Sequence, residues 1–268
     1  MTATELSTYR NSRPNRGLPL TVLAGEVDIW HAALDRSPIE LERMIRSLSA
    51  NERERAARFH FDRDRNHFIA GRSILRDILS RYLACNPGEV RLTAGAHGKP
   101  ELAAPAGRLL RFNLSHSTGV ALYAIAHGRE VGIDLECIRA ELQYDDIAEK
   151  FFAPGEIRRL RELPPDQRIR GFFNCWTRKE AYVKARGQGL STPLDGFEVS
   201  LAPGEPAALL SEDASAAFPP GAKPSDLPQW SLADLHADPG FVAALAVEGI
   251  PPILETLEWA PSRDMMTY

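Results

Sequence analysis

Cysteine is scarce in this chain. Cys85, Cys137 and Cys175 stand far apart, with no CxxC pair and no metal-ligand spacing, which argues against a disulfide framework and for a reducing, cytoplasmic compartment. No apolar run approaches the length of a membrane span and no segment reads as a secretory leader. Charge of neither sign dominates: 32 Lys and Arg against 36 Asp and Glu leave a formal net charge of −4. That balance argues against bulk binding to nucleic acid or to a membrane surface. A G-x-S-x-G elbow is also missing, so the neighbours Ser115 and His116, on opposite faces of a strand, do not read as nucleophile and base. What is present is a globular composition, 44% hydrophobic and 25% charged over 268 residues. It suffices for one large domain or two modest ones.

Alternation predicts a first strand over 27–34. Ser37-Pro38-Ile39-Glu40 and Ser49-Ala50-Asn51-Glu52 are capping boxes, each opening a helix. A longer helix is predicted over 62–82, with Phe68, Leu75, Ile78, Leu79 and Tyr82 inward and Asn86-Pro87-Gly88 closing it. Strands over 111–114 and 120–127 flank a tight turn at Ser117-Thr118-Gly119. The second half repeats the pattern: Glu130-Val131-Gly132-Ile133-Asp134 resembles Glu26-Val27-Asp28-Ile29-Trp30. Helices over 154–163 and 169–186 follow, Gly187 is a C-terminal stop, and 235–245 echoes 114–122. This self-similarity predicts an α+β fold of two pseudo-symmetric halves, 1–129 and 130–268, packed face to face with a ligand crevice between them. The polar stretch 1–18 reads as a frayed end, and the proline-rich stretch 203–224 as an exposed insertion.

Three segments carry chemistry. In Val131-Gly132-Ile133-Asp134-Leu135-Glu136, strand alternation sends Ile133 and Leu135 inward and leaves Asp134 and Glu136 on one face. Two carboxylates there repel unless a cation sits between them, and oxygen ligands suit a hard ion such as Mg²⁺. Two ordinary solvent-facing acids fit the same pattern equally well. In the segment 172–184, helical spacing puts Trp176, Glu180 and Lys184 on one stripe. Alone, that stripe is an everyday Glu–Lys pair below a core tryptophan. A third carboxylate converging on the first two would change that reading. Phe112-Asn113-Leu114-Ser115-His116-Ser117 suits hydrogen bonding to a phosphate or ribose, or else a buried histidine at a turn. Gly98-Lys99-Pro100 holds a lysine between two conformational restraints.

Together these segments resemble a family signature. Gly132-Ile133-Asp134-Leu135-Glu136, followed about forty residues later by Trp176-Thr177-x-Lys179-Glu180-Ala181-x-x-Lys184, is similar to the motifs of 4′-phosphopantetheinyl transferases. Gly98-Lys99-Pro100 and 112–117 resemble the larger, Sfp-type branch. The resemblance covers roughly 45–200 and implies that family's fold. It implies transfer of the phosphopantetheine arm of coenzyme A to a serine of an apo acyl or peptidyl carrier protein, releasing adenosine 3′,5′-bisphosphate. By the resemblance, Asp134, Glu136 and Glu180 hold Mg²⁺ and Lys184 neutralises phosphate charge. Gly98, Lys99, Asn113, Ser115 and His116 grip the co-substrate, while Glu180, Lys184 and His116 form the catalytic set. Arg55 stands where the family often has a lysine for the 3′-phosphate. Glu52 replaces a basic residue there, so Arg58 or Arg63 would share that contact. A non-catalytic coenzyme A- or carrier-binding relative is the alternative. A nucleic-acid binder using the Arg65, Arg72, Arg76 stripe is opposed by neighbouring acids such as Asp64 and Asp77. Because both halves lie in one chain, a monomer is the default expectation. The arginine-rich run 156–170, preceded by Phe151 and Phe152, reads equally as a carrier-docking surface and as a solvated helix face over two core aromatics.

Overall fold

The computed structural model describes residues 10–11, 19–95, 98–187, 192–212 and 229–262. In chain order its elements are β1 (Arg10–Asn11), β2 (Glu26–Ala33), α1 (Pro38–Met44), α2 (Ala50–Ala57), α3 (Asp62–Leu83), β3 (Leu92–Ala94), β4 (Pro100–Leu102), β5 (Leu110–Ser117) and β6 (Val120–His127). There follow β7 (Val131–Cys137), α4 (Asp145–Phe151), α5 (Pro154–Glu162), α6 (Pro165–Arg186), β8 (Phe197–Val199), β9 (Leu209–Glu212), β10 (Trp230–Leu235), β11 (Phe241–Glu248) and β12 (Ile253–Glu258). This is the mixed α+β architecture expected from the sequence.

The repeat is visible in the order of elements. A strand, short helices, a 22-residue helix and an antiparallel hairpin occur as β2, α1–α3 and β5–β6, and again as β7, α4–α6 and β10–β11. The first set forms the sheet β1-β12-β2-β6-β5 and the second the sheet β10-β11-β7. Strand alternation gives each sheet two apolar faces. Val27, Ile29, Leu122 and Ala124 meet Ile133, Leu135, Ala243 and Leu245 in a core between the sheets. The opposite faces are covered by α3 in one cluster and by α6 in another. The layers therefore run helix, sheet, sheet, helix.

Both capping boxes form: Ser37 Oγ accepts from Glu40 N and Ser49 Oγ from Glu52 N. Four expectations shift. Helix α3 ends in the left-handed residue Ala84, while Pro87–Glu89 makes a separate turn of 3-10 helix. Helix α6 begins at Pro165 rather than 169, because a proline at the first turn loses no hydrogen bond. Within the presumed frayed end, Arg10–Asn11 pairs in parallel with Glu255–Thr256. Within the presumed insertion, Leu209–Glu212 pairs with Phe197–Val199; residues 213–224 of that stretch, like 1–9 and 12–18, lie outside the described residues. Strand β12, the last among the described residues, lies parallel to β2 in the first half's sheet.

Candidate active site

A crevice of 640 Å³ opens where β5, β7 and α6 meet. Strand β7 contributes Asp134 and Glu136, helix α6 contributes Trp176, Glu180 and Lys184, and β5 contributes Asn113, Ser115 and His116; Gly98 and Lys99 close one side. The helix reaches the strand because Gly132 has no side chain: a methyl there would collide with the Ala181 carbonyl oxygen and the Ala185 backbone nitrogen. One turn of α6 then carries Glu180 and Lys184 past Asp134. Gly187, left-handed at φ 67°, ends the helix immediately after the site. Strands β5 and β7 belong to different sheets and are fastened by side chains. Asn113 Oδ1 accepts from Ile133 N at 2.9 Å, and Ser117 Oγ accepts from Cys137 N at 3.1 Å.

Lys184 Nζ donates to Asp134 Oδ1 at 2.5 Å and to Ser115 Oγ at 3.1 Å, and Ser115 Oγ donates to the same carboxylate oxygen at 2.8 Å. The other oxygen, Asp134 Oδ2, is buried with no hydrogen-bond partner. Burial pushes the Glu180 carboxyl above its ordinary range, opposed by Lys184 and reinforced by Asp134. Burial and Asp134 push Glu136 up in the same way. His116 is pushed down by burial, with Lys184 and His67 adding to the effect, and so favours the neutral ring. The donor set suits a hard cation: it is all oxygen, it includes an orphaned buried carboxylate oxygen, and its two raised carboxyls would be relieved by positive charge. As the side chains stand, no three His, Cys, Asp or Glu groups among the described residues converge into a ready metal cluster.

Several motif residues hold the frame. Lys99 lines the crevice, yet its ammonium donates to Val131 O at 3.2 Å and Lys184 O at 2.8 Å, tying the two halves together; burial lowers its pKa. Lys179 is fully buried, paired with the equally buried Glu156 at 2.8 Å and donating to Leu194 O and Phe197 O. Arg178 forms a two-pronged pair with Asp234. Trp176 stacks on Phe172 and meets Phe151 edge-on, so the aromatic end of the stripe is both wall and core.

A second cavity of 610 Å³ adjoins the first and shares Arg72, Gly98 and Pro100 with it. Arg55 lines it, its guanidinium over Phe68 at 5.3 Å. Glu52 lines it too, with its carboxylate committed to the helix cap and to an ion pair with Arg76 at 2.7 Å. Arg58 and Arg63 do not line this cavity. Sequence reasoning placed Arg72 only on a candidate nucleic-acid stripe and not among the site residues. It stands at the junction of both cavities, over the same Phe68 at 5.7 Å, with no hydrogen bond or ion pair among the described residues. Its stripe partners are occupied: Arg76 by Glu52, Pro87 O and Val90 O, and Arg65 by Asp62. The signal lay in the helical register, since Arg72 is one turn from Phe68 on the side facing Arg55.

The arginine-rich run is partly neutralised, with Arg159 on Glu198 and Arg161 on Glu149. Phe152 is buried against Phe172 and Phe151 is half-buried against Trp176. No helix among the described residues is long and apolar enough to cross a membrane.

Comparison with known proteins matches residues 130–243 to the 4′-phosphopantetheinyl transferase superfamily, and residues 33–127 to the family described as 4′-phosphopantetheinyl transferase, N-terminal. The 4′-phosphopantetheinyl transferase HetI of Nostoc sp. is 42% identical over 233 residues, covering 86% of this chain and 91% of that protein. The putative 4′-phosphopantetheinyl transferase slr0495 of Synechocystis sp. is 35% identical, covering 62% and 67%. The 4′-phosphopantetheinyl transferase Sfp of Bacillus subtilis is 31% identical, covering 65% and 76%.

Proposed function

Because the chain belongs to the 4′-phosphopantetheinyl transferase family, we propose that it moves the phosphopantetheine arm of coenzyme A onto a serine hydroxyl of an apo acyl or peptidyl carrier protein and releases adenosine 3′,5′-bisphosphate. The observation that carries this reading is the meeting of Asp134, Glu136, Glu180 and Lys184 in one crevice between the two halves. Asp134, Glu136 and Glu180 would hold Mg²⁺, which when bound supplies positive charge to the diphosphate.

The chain's own groups account for the rest. The serine oxygen bonds to the phosphorus that bears the arm, the bridging P–O bond breaks, and the adenylate side leaves as a phosphate. Glu180 takes the hydroxyl proton, for which a carboxyl held above its ordinary range is the better base. Lys184 opposes the charge that accumulates on the leaving side. His116, favouring the neutral ring, offers the diphosphate a hydrogen bond. Arg55 and Arg72 meet the 3′-phosphate in the adjoining cavity. The nucleophile comes from the carrier, which is why the crevice needs no activated serine or cysteine of its own. Three free cysteines favour a reducing, cytoplasmic setting, and a crevice built from both halves of one chain suits a monomer.

The test is to incubate the protein with coenzyme A, Mg²⁺ and apo carriers and to weigh the carriers. A gain of about 340 Da, one phosphopantetheine arm, is expected, and it should be lost on replacing the carrier serine with alanine. Carriers of unchanged mass, alongside measurable coenzyme A binding, would reduce the protein to a binding relative.

A further inference from the structure

Every second residue of β5 turns toward β7, so Asn113, Ser115 and Ser117 share one face. Each is bonded across the gap between the two sheets. Asn113 Oδ1 accepts from Ile133 N, and Ser115 Oγ donates to Asp134 Oδ1. Ser117 Oγ accepts from Cys137 N at 3.1 Å and donates to Glu136 Oε2 at 3.5 Å. The first two bonds belong to the frame and to Asp134. The last is different in kind: Ser117 does not line the crevice, yet it reaches the carboxylate of a residue that does.

The two carboxylates of β7 are held differently. Asp134 is short and buried, with Lys184 and Ser115 both on its Oδ1. Glu136 is longer and half-buried, and its hydrogen-bond partner among the described residues is Ser117. A long side chain loses rotamer freedom on taking a fixed pose, and a well-placed donor narrows the poses beforehand. The Ser117 hydroxyl suits this task because it is itself directed. Its oxygen takes the Cys137 N–H, so its own hydrogen turns to an acceptor, and Glu136 Oε2 lies within reach. The serine backbone is fixed as well. It closes β5 opposite Val120, before a turn in which Thr118 and Gly119 are left-handed and Gly119 O accepts from Leu34 N at 2.7 Å.

We propose that Ser117 is a positioning residue, its hydroxyl holding the Glu136 carboxylate in the pose from which it meets the divalent cation. The proposal rests on the transferase reading, in which Glu136 is a metal ligand, and adds a group that acts on the metal only through that ligand. Partners of this outer kind orient a ligand, and losing one typically weakens a metal site by about 10–100-fold.

The experiment measures Mg²⁺ affinity by calorimetry on protein saturated with coenzyme A, beside coenzyme A affinity without metal. Ser117→Ala should weaken Mg²⁺ by about tenfold or more and leave coenzyme A within about twofold. Threonine keeps the hydroxyl and valine only the shape, so Ser117→Thr should retain most of the affinity that Ser117→Val loses. In a Glu136→Ala background, Ser117→Ala should have no further effect on Mg²⁺, because the group it acts through is gone. Equal losses with and without Glu136 would assign Ser117 to the frame, through its bond to Cys137 N, and overturn the proposal. So would valine binding Mg²⁺ as well as threonine. Unmodified protein that binds no Mg²⁺ would overturn the metal assignment first and the proposal with it, an outcome visible before any variant is made.

Discussion

Asp134 engages the crevice through only one of its two carboxylate oxygens. Its Oδ1 is held by Lys184 and Ser115, and its Oδ2 is buried without a partner. Asp134→Ala should abolish carrier loading while leaving the fold in place, because the Lys184 ammonium it leaves behind is part-exposed and still reaches Ser115 Oγ and solvent; intact mass and circular dichroism check the two halves of that statement. Glu136 and Glu180 both have raised carboxyls, so each binds its proton more tightly in the folded protein than in the unfolded chain. Their charged forms oppose folding above the raised values, and protonation relieves that opposition as pH falls toward the ordinary 4.5. A cation must displace those protons. Mg²⁺ binding should therefore release more protons near about pH 6 than near about pH 8, measured by calorimetry in buffers of different ionisation enthalpy. Proton release that does not vary with pH would remove these carboxyls from the metal site. At this scale the sequence motif was informative about residue type and silent about commitment. Asp134, Glu180 and Lys184 line the crevice, whereas Asn113 spends its carbonyl on Ile133 N and Lys99 its ammonium on two backbone carbonyls. Hydrogen-bond partners from distant chain segments do not show in spacing.

Helix α6 carries Glu180 and Lys184 into the crevice, and two of its contacts can be tested separately. The first is its close approach to β7 at Gly132. Gly132→Ala should push the helix away from the strand, destabilise the protein by about 2–3 kcal/mol as an overpacked core does, and reduce loading more than it reduces nucleotide affinity. Urea titration and a kcat-against-Kd comparison read the two effects; a protein of unchanged stability would mean that the helix shifts freely. The second is the buried pair of Glu156 and Lys179, both fully inaccessible, with Glu156 also accepting from Ala153 N and Val199 N. Glu156→Ala strands a buried ammonium and should cost about 3–5 kcal/mol, whereas the joint change to Glu156→Leu with Lys179→Met should recover much of that loss. Failure of the double variant to recover would assign the loss to the two backbone donors. Elements with local signals were the ones legible in sequence: the capping boxes of α1 and α2, the length of α3, the glycine stop of α6. Lys179 was legible only as a motif letter, since its partner lies twenty-three positions upstream on α5.

On the scale of the whole molecule, the repeat of two halves was readable because each half restates the same succession of strand, helices and hairpin. The closure of the fold was not. Strand β12 lies far from β2 in sequence and pairs with it in parallel, and parallel partners leave no turn between them to be recognised. Leu254 and Leu257 enter two different core clusters, and Trp259 Nε1 donates to Asp77 Oδ2 at 2.8 Å. A chain ending at residue 252 should lose amide protection along β2 before it loses protection along β7 and β11, as followed by hydrogen exchange. Equal protection in both sheets would make β12 an accessory. On the proposed reading the assembled halves set Lys184, to neutralise phosphate, beside Glu180, to accept a proton, and single-turnover loading of an apo carrier by Glu180→Gln tests that reading most directly. With coenzyme A affinity measured on the same sample, the rate should fall by on the order of 10²-fold or more while coenzyme A binding changes little. Coenzyme A binding that collapses in step with the rate would contradict the assignment of Glu180 as the group that takes the serine proton.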